Sequence, residues 1–355
     1  MTPPAHERRR RRFQPRRLVA LCSTAALVVT GAAGAAVPSA DAAPAVHSAI
    51  PSGITINVGD QNQRLATLFP SSGLLKGAPY KVNFVEFASG PLINAALAAG
   101  KIDLGTMGDE AAEGAVDAHL PVKAVLSSLG IGPSFFLVAR PGIDSISQLR
   151  GKKVAFTTGT AYQGVALRAL ATAGLTQKDV QQVNVTLQQL GTVIESGQAD
   201  ASVLSIQNKA DYLQQQPKAK VLADNATMKP PYYSYLVGNS KSLANPGKLA
   251  AIEDFARRYV QANNWEKAHE AKFIQDYYVD VEHQTASEAK TILAAGGLSN
   301  FVPVGKKEQA ALQQLVGLLA RSGAIPKRFS VAPLFDPKVS AEFNRVLKQA
   351  STSEG

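Results

Sequence analysis

Apolar and polar positions alternate in two rhythms along this chain. Ile54, Ile56 and Val58 alternate with Thr55 and Asn57, the period of a strand. Gly59, Asp60, Gln61 and Asn62 break that run with a polar turn, and a helical stretch follows. The unit recurs. Residues 80–87 read as a strand running into Ser89, Gly90 and Pro91, where Ser89 suits an N-cap and Pro91 the first helical turn. Residues 102–104 form a brief strand before Gly108, Asp109 and Glu110, with a helix over 111–118 and strands over 122–126 and 135–139. The fullest unit spans 149–175. Val154, Ala155 and Phe156 form an apolar run, and 157–160 interrupt it. From Tyr162 onward, Val165, Ala169, Leu170 and Ala173 share one side of a helix that stops at Gly174. Strands are expected over 183–187, 201–204, 221–222 and 232–237, with a short helix over 190–195. From Pro246 the pattern is helical: 249–262, 265–278, 287–295, 307–322 and 338–350.

Strand, polar turn, helix, repeated, indicates a parallel sheet with helices on its faces. Ligands in such sheets lie beyond the carboxyl ends of the strands. The turns at Gln61, at Ser89-Gly90, at Gly108-Asp109 and at 157–160 are therefore candidate binding elements. The start of a helix offers unpaired backbone N–H groups and a dipole that favours negative charge. Thr158 or Thr160 would cap the helix after Gly159, with Ala161 and Tyr162 opening it. Each of these residues also has an ordinary structural reading. Ser89 and Thr160 can simply cap helices, Asp109 and Glu110 can compensate a dipole, and Tyr162, Tyr232, Tyr233 and Tyr235, which could wall a pocket, can also be core.

Length and composition fit two units of ordinary size: 355 residues with 45% hydrophobic content. The net charge of +10 is concentrated at the start, where Arg8 to Arg12, Arg16 and Arg17 precede an apolar run over 18–29 and Ala40-Asp41-Ala42. Residues 1–42 thus read as a secretory signal peptide, of ordinary or twin-arginine type, and 43–53 as a flexible tether. The remaining charge is interleaved in sign, which speaks against a nucleic-acid partner. Cys22 is the only cysteine and falls inside the signal, so the mature chain is expected to carry no disulfide and no thiol nucleophile. His119, His269 and His283 are isolated, and no Gly-x-Ser-x-Gly, P-loop or His-Glu-x-x-His motif occurs. No metal, cofactor or catalytic residue is expected. Asp109 with Glu110 is the one weak candidate for an acid–base pair.

A spaced set of blocks goes further: SGPLINAALAAGKIDLGTMGD, SQLRGKKVAFTTGT, LRALATAGLTQKDVQQVNV, ESGQADASV and LARSGAIPKRF. The chain resembles the substrate-binding proteins of ABC importers, in particular those for aliphatic sulfonates and taurine, with nitrate and thiamine-precursor binders as relatives. The resemblance spans roughly 54–340. It implies an α/β, two-lobed, type II periplasmic-binding-protein-like fold with a ligand cleft between lobes. Lobe one would comprise 54–137 and 236–345 and lobe two 138–235, crossing near Phe136 to Val138 and Ser234 to Leu236. Ligand contacts carry over to Gln61, Ser89, Gly90, Gly108, Asp109, Gly159, Thr160 and Ala161. Thr158, Tyr162 and Ser205 complete the candidate set. Sulfonate binders commonly carry Trp, Asp, Pro and Tyr in series after the strand ending at Leu204, where this chain has Ser205-Ile206-Gln207-Asn208. The implied role is an exported, periplasmic or cell-surface, monomeric receptor that hands a small organic anion or zwitterion to a membrane permease. The alternatives are an enzyme acting on a small acid on the same scaffold, or a receptor docking on a sensor.

Overall fold

A computed structural model describes residues 50–130, 132–294 and 299–352. The expected signal peptide and most of the tether lie outside the described residues. Two sheets organise the described chain. The first has the order β11-β4-β10-β3-β1-β2, from β1 (Thr55–Asp60), β2 (Lys81–Glu86), β3 (Leu104–Gly108), β4 (Val122–Gly130), β10 (Tyr233–Asn239) and β11 (Ser299–Val302). The second has the order β7-β6-β8-β5-β9, from β5 (Phe135–Ala139), β6 (Lys153–Phe156), β7 (Gln181–Asn184), β8 (Ala201–Ser205) and β9 (Lys220–Asp224). β1, β2 and β3 run parallel, as do β6, β7 and β8. β10 and β5 run against their neighbours.

The helices are α1 (Arg64–Ser72), α2 (Gly90–Ala98), α3 (Asp109–Asp117), α4 (Ala161–Thr172), α5 (Leu190–Glu195), α6 (Ile206–Gln215), α7 (Ser240–Ala244), α8 (Pro246–Ala268), α9 (Glu270–Phe273), α10 (Ala286–Ala294), α11 (Lys306–Ser322) and α12 (Pro337–Thr352). A π-helical turn, Ile274–Val279, follows α9. Each sheet is covered on both faces. α1, α8 and α12 bury Leu68, Phe255 and Phe343 on one face of the first sheet, and α5 and α6 bury Ile194 and Tyr212 on one face of the second. The third core is shared: Ile93, Ala111 and Leu315 of the six-stranded half are continuous with Leu137, Phe156 and Leu167 of the five-stranded half.

The described residues that connect the sheets are 132–134 and 225–232. They lie just before the strand residues near which the crossings were expected, Phe136 to Val138 and Ser234 to Leu236. β5 pairs with β8 and β9 along its length, and β10 pairs with β3 and β4, so each strand belongs wholly to one sheet. β11 was not expected. Its four residues carry little apolar alternation and form an edge strand on β4. The helices expected over 249–262 and 265–278 are instead one long α8 and a π-turn, because Asn263 and Asn264 do not interrupt the helix. Asn245 caps α8 by accepting from the Lys248 N–H at 3.0 Å, and Pro246 fills its first turn.

α4 departs most from its sequence pattern. One apolar stripe was expected, but every residue from Gln163 to Leu170 is buried. α4 lies between its own sheet and the helices α3 and α11 of the other half. A helix buried all round needs packing partners on every side, and the small residues Ala161, Gly164, Ala166 and Ala169 let them approach.

Candidate ligand-binding site

The sequence of the first polar turn shapes the site. Asp60 ends β1 and is 1% exposed. Its carboxylate accepts from the N–H groups of Gln61, Leu65 and Ala66, at 2.8–2.9 Å, and so occupies the start of α1. Burial raises the Asp60 pKa, with these N–H groups opposing. Asn62 and Gln63 follow in the left-handed region, with φ 55° and 52°. Glu86 at the end of β2 holds both, its two oxygens accepting from their N–H groups at 2.6 and 3.0 Å. Two carboxylates thus fix a backbone conformation that costs non-glycine residues about 1–2 kcal/mol each.

This turn delivers Gln61 and Arg64 to a cavity of about 250 Å3. The cavity lies at the carboxyl ends of β1 and β3, where Asp60, Thr106 and Gly108 line it. Ser128 comes from β4, Ser234 from β10, Tyr259 and Asn263 from successive turns of α8, and Phe301 from β11. The connection between the sheets supplies Tyr232. The Gln61 side chain donates to the Thr106 carbonyl at 3.1 Å, and Ser234 bonds the Tyr232 hydroxyl at 3.2 Å. The lining is mostly polar, with one cation.

That cation is Arg64. Its Nη2 donates to both oxygens of Glu266, at 2.7 and 2.6 Å, and its guanidinium lies 4.5 Å from the Phe273 ring centre and 5.2 Å from that of Tyr277. Burial pulls its pKa down, but the Glu266 carboxylate together with the Tyr278 and Tyr277 hydroxyls outweighs that and keeps it above its ordinary value. Nη1 is buried and has no hydrogen-bond partner among the described residues. A buried N–H donor without a partner is costly, so an anionic or carbonyl oxygen placed there would recover that cost.

The remaining expected residues distribute around this cavity unevenly. Gln61 and Gly108 line it; Ser89, Gly90, Asp109, Thr158, Gly159, Thr160, Ala161, Tyr162 and Ser205 do not. Ser89 and Thr160 stand at helix N-cap positions, but neither side chain accepts a capping bond. The Thr160 hydroxyl donates to the Thr157 carbonyl at 2.7 Å, and the Gly159 N–H donates to the Gln163 side chain at 2.8 Å, so the turn before α4 is closed on itself. Thr158 bonds Asn184 through its N–H and hydroxyl, at 3.0 and 3.1 Å. Ser205 caps α6 through the Asn208 N–H at 3.2 Å. A Cβ on Gly159 would lie 3.3 Å from Pro91, so the two turns from opposite halves touch there.

Aromatic residues connect the halves. The Phe135 ring meets Tyr162 edge-on at 4.9 Å and Tyr232 at 5.5 Å, and Phe135 pairs with Ser205 across β5 and β8. Burial pushes the Tyr162 hydroxyl up to about 12. Sequence reasoning treated Tyr232 as a possible wall and passed over Phe135, Arg64 and Asn263. Arg64 had a usable signal, as a lone cation three residues after Gln61 in the first turn of the next helix. Asn263 had none, because its approach to the cavity depends on α8 crossing the sheet.

Asp109 does not face the cavity as the sequence reading expected. Its carboxylate accepts from Arg168 of α4 at 2.5 Å, and Glu110 accepts from the same guanidinium at 2.8 Å. All three side chains are at most 3% exposed. Two buried carboxylates face one cation, so burial first, then the Asp109 charge, lift the Glu110 pKa well above its ordinary value against the pull of Arg168. Among the described residues, no group of three His, Cys, Asp or Glu is placed to hold a metal ion.

Two α/β halves joined by two crossings, with a polar cavity at the strand ends, define a periplasmic-binding-protein fold. Its solved neighbours include the aliphatic sulphonate binding protein SsuA of Escherichia coli, with a TM-score of 0.69 at 23% identity over 80% of this chain and 92% of that one. A second is the alkanesulfonate-binding protein SsuA of Xanthomonas axonopodis bound to MOPS, with a TM-score of 0.70 at 22% identity over 80% of this chain and 98% of that one. The chain belongs to the NMT1/THI5-like family, whose model matches residues 72–265. Among its relatives is a chain from Escherichia coli K12 named as an aliphatic sulfonates-binding protein, 32% identical over 155 residues, or 41% of this chain. The match spans 47% of that relative, about half its length.

Proposed function

We propose that this protein is an exported solute-binding protein of an ABC importer. It binds a small organic anion or zwitterion, sulfonate-like in its head group, and closes its two lobes over it. The observation that carries the reading is the strand-end cavity lined by Arg64, whose buried Nη1 has no hydrogen-bond partner among the described residues. An anionic oxygen there gains a charge-assisted hydrogen bond. Because Glu266 already balances Arg64 and Asp60 lies alongside, the cavity carries no surplus positive charge. That balance favours a singly charged or zwitterionic ligand over a multiply charged one. The lobes are the six-stranded and five-stranded halves, which pivot about the connections at 132–134 and 225–232. The relatives named for sulfonate binding support the ligand class, and delivery to a membrane permease is part of the same reading. Among the described residues no helix is long and apolar enough to span a membrane, and the basic, apolar leader at 1–42 supports export.

A thermal-shift panel of alkanesulfonates, aminosulfonates, nitrate, simple amines and pyrimidines tests the reading. At least one sulfonate or aminosulfonate is expected to raise the melting temperature and to be recovered unchanged after long incubation. Stabilisation by amines alone would remove the anionic head group. Conversion of the bound compound would favour an enzyme.

A further inference from the structure

Arg168 touches no part of the cavity, yet it bonds to both elements that carry one of the cavity's corners. Its Nη2 and Nη1 hold Asp109 and Glu110, the first two residues of α3, immediately after the cavity residue Gly108. Its Nε donates to the Pro230 carbonyl at 3.1 Å, two residues before the cavity residue Tyr232. Gly108 and Tyr232 are in contact, since a Cβ on Gly108 would lie 2.8 Å from the Tyr232 hydroxyl. The guanidinium comes from α4, in the five-stranded half, whereas Gly108 belongs to β3 in the other. Access for Glu110 depends on Gly164, where a Cβ would stand 1.2 Å from the Glu110 Oε1 and 2.4 Å from the Arg168 Nη1. The planar fork of Arg suits this task, because its three nitrogens reach fixed partners in one plane.

We propose that Arg168 is a positioning residue for the ligand cavity: from the opposite half it sets Tyr232 against Gly108, and so controls affinity without contacting the ligand. The proposal rests on the cavity being the ligand site. Its structural part, the placement of Tyr232, is open to test without any ligand.

Removing Arg168 alone leaves two buried carboxylates facing each other and can prevent folding. The informative variant therefore replaces the whole cluster with apolar residues of similar size: Arg168→Met with Asp109→Leu and Glu110→Met. Replacing a complete buried ion group with well-packed apolar residues is often neutral or stabilising in other folds, so the melting temperature is expected to stay near that of the unmodified protein. Amide hydrogen exchange in the 228–236 and 106–112 segments is nevertheless expected to quicken at least tenfold, with α8 unchanged. Arg168→Lys, which keeps the charge but not the fork, is expected to give an intermediate increase. A stable triple variant with unmodified exchange in both segments would show that Arg168 serves stability alone and overturn the proposal. In a parallel calorimetric titration with 1-butanesulfonate, the triple variant is expected to bind about tenfold more weakly. Equal affinity would contradict the control of affinity. Absence of binding by the unmodified protein would count against the sulfonate-like ligand, while the exchange result would still decide the placement of Tyr232.

Discussion

At the scale of single residues, the half-buried Arg64, the buried Glu113 and the buried Arg168 cluster stand out. Glu113, on α3, is 6% exposed, and its Oε2 has no partner among the described residues. Burial, then the charges of Asp117 and Asp109, push its pKa up to about 8 from an ordinary 4.5. A raised acid binds more protons folded than unfolded, so its contribution to stability is complete below about 4.5 and is lost as pH rises towards about 8. Glu113→Gln is thus expected to match the unmodified protein in denaturant titrations at pH 5. At pH 9 it should be more stable by about 5 kcal/mol, the gap from 4.5 to about 8 at about 1.4 kcal/mol per pH unit. Glu110→Gln should shift stability in the same direction, since Glu110 is also raised and faces Asp109 and Arg168. Gly164→Ala brings a methyl into the Glu110 carboxylate and is expected to cost about 2–4 kcal/mol in the same assay, more than an ordinary overpacked site. Sequence alone revealed Asp109 and Glu110 as adjacent acids after a strand. It could not reveal Arg168 opposite them, because 58 residues separate Arg168 from Glu110 and only the packing of α4 against α3 brings them together.

At the scale of elements, local pattern was a reliable guide wherever local forces decide. The strand–turn–helix units at β1, β2 and β6 stand close to where alternation, caps and Gly stops placed them, and Gly174 follows α4 with φ 68°. The pattern misled where tertiary packing decides. β11 exists because β4 offers an edge, and α4 is buried on all sides because a second half packs on it. The turn from Asp60 to Arg64 belongs to both groups. Its polarity was visible in the sequence, but the left-handed pair Asn62 and Gln63, and its anchoring by Glu86, were not. Glycine enters that conformation without a steric penalty. Gln63→Gly is expected to raise stability by about 0.5 kcal/mol, because the relief exceeds the added unfolded-state entropy. Glu86→Ala, which frees the two N–H groups, should loosen the turn and lower ligand affinity several-fold without removing any cavity residue.

At the scale of the whole molecule, the continuous core through α2, α3, α4 and α11 limits how the two halves can move. Under the proposed closure, motion about 132–134 and 225–232 would have to leave this core packed. The buried Arg168 cluster lies within it. The cavity lining is accordingly concentrated on the six-stranded half, and in the proposed closure the other half would contribute Phe135, Tyr162 and the turn at Gly159. The most direct measurement is calorimetric titration of the best ligand from the panel into the unmodified protein and into Arg64→Gln. The account predicts at least a hundredfold loss of affinity in Arg64→Gln, equivalent to about 2.7 kcal/mol, measured at a temperature where the variant remains folded, because Glu266 loses its cation and the melting temperature falls. A ligand that binds Arg64→Gln as tightly as it binds the unmodified protein would contradict it.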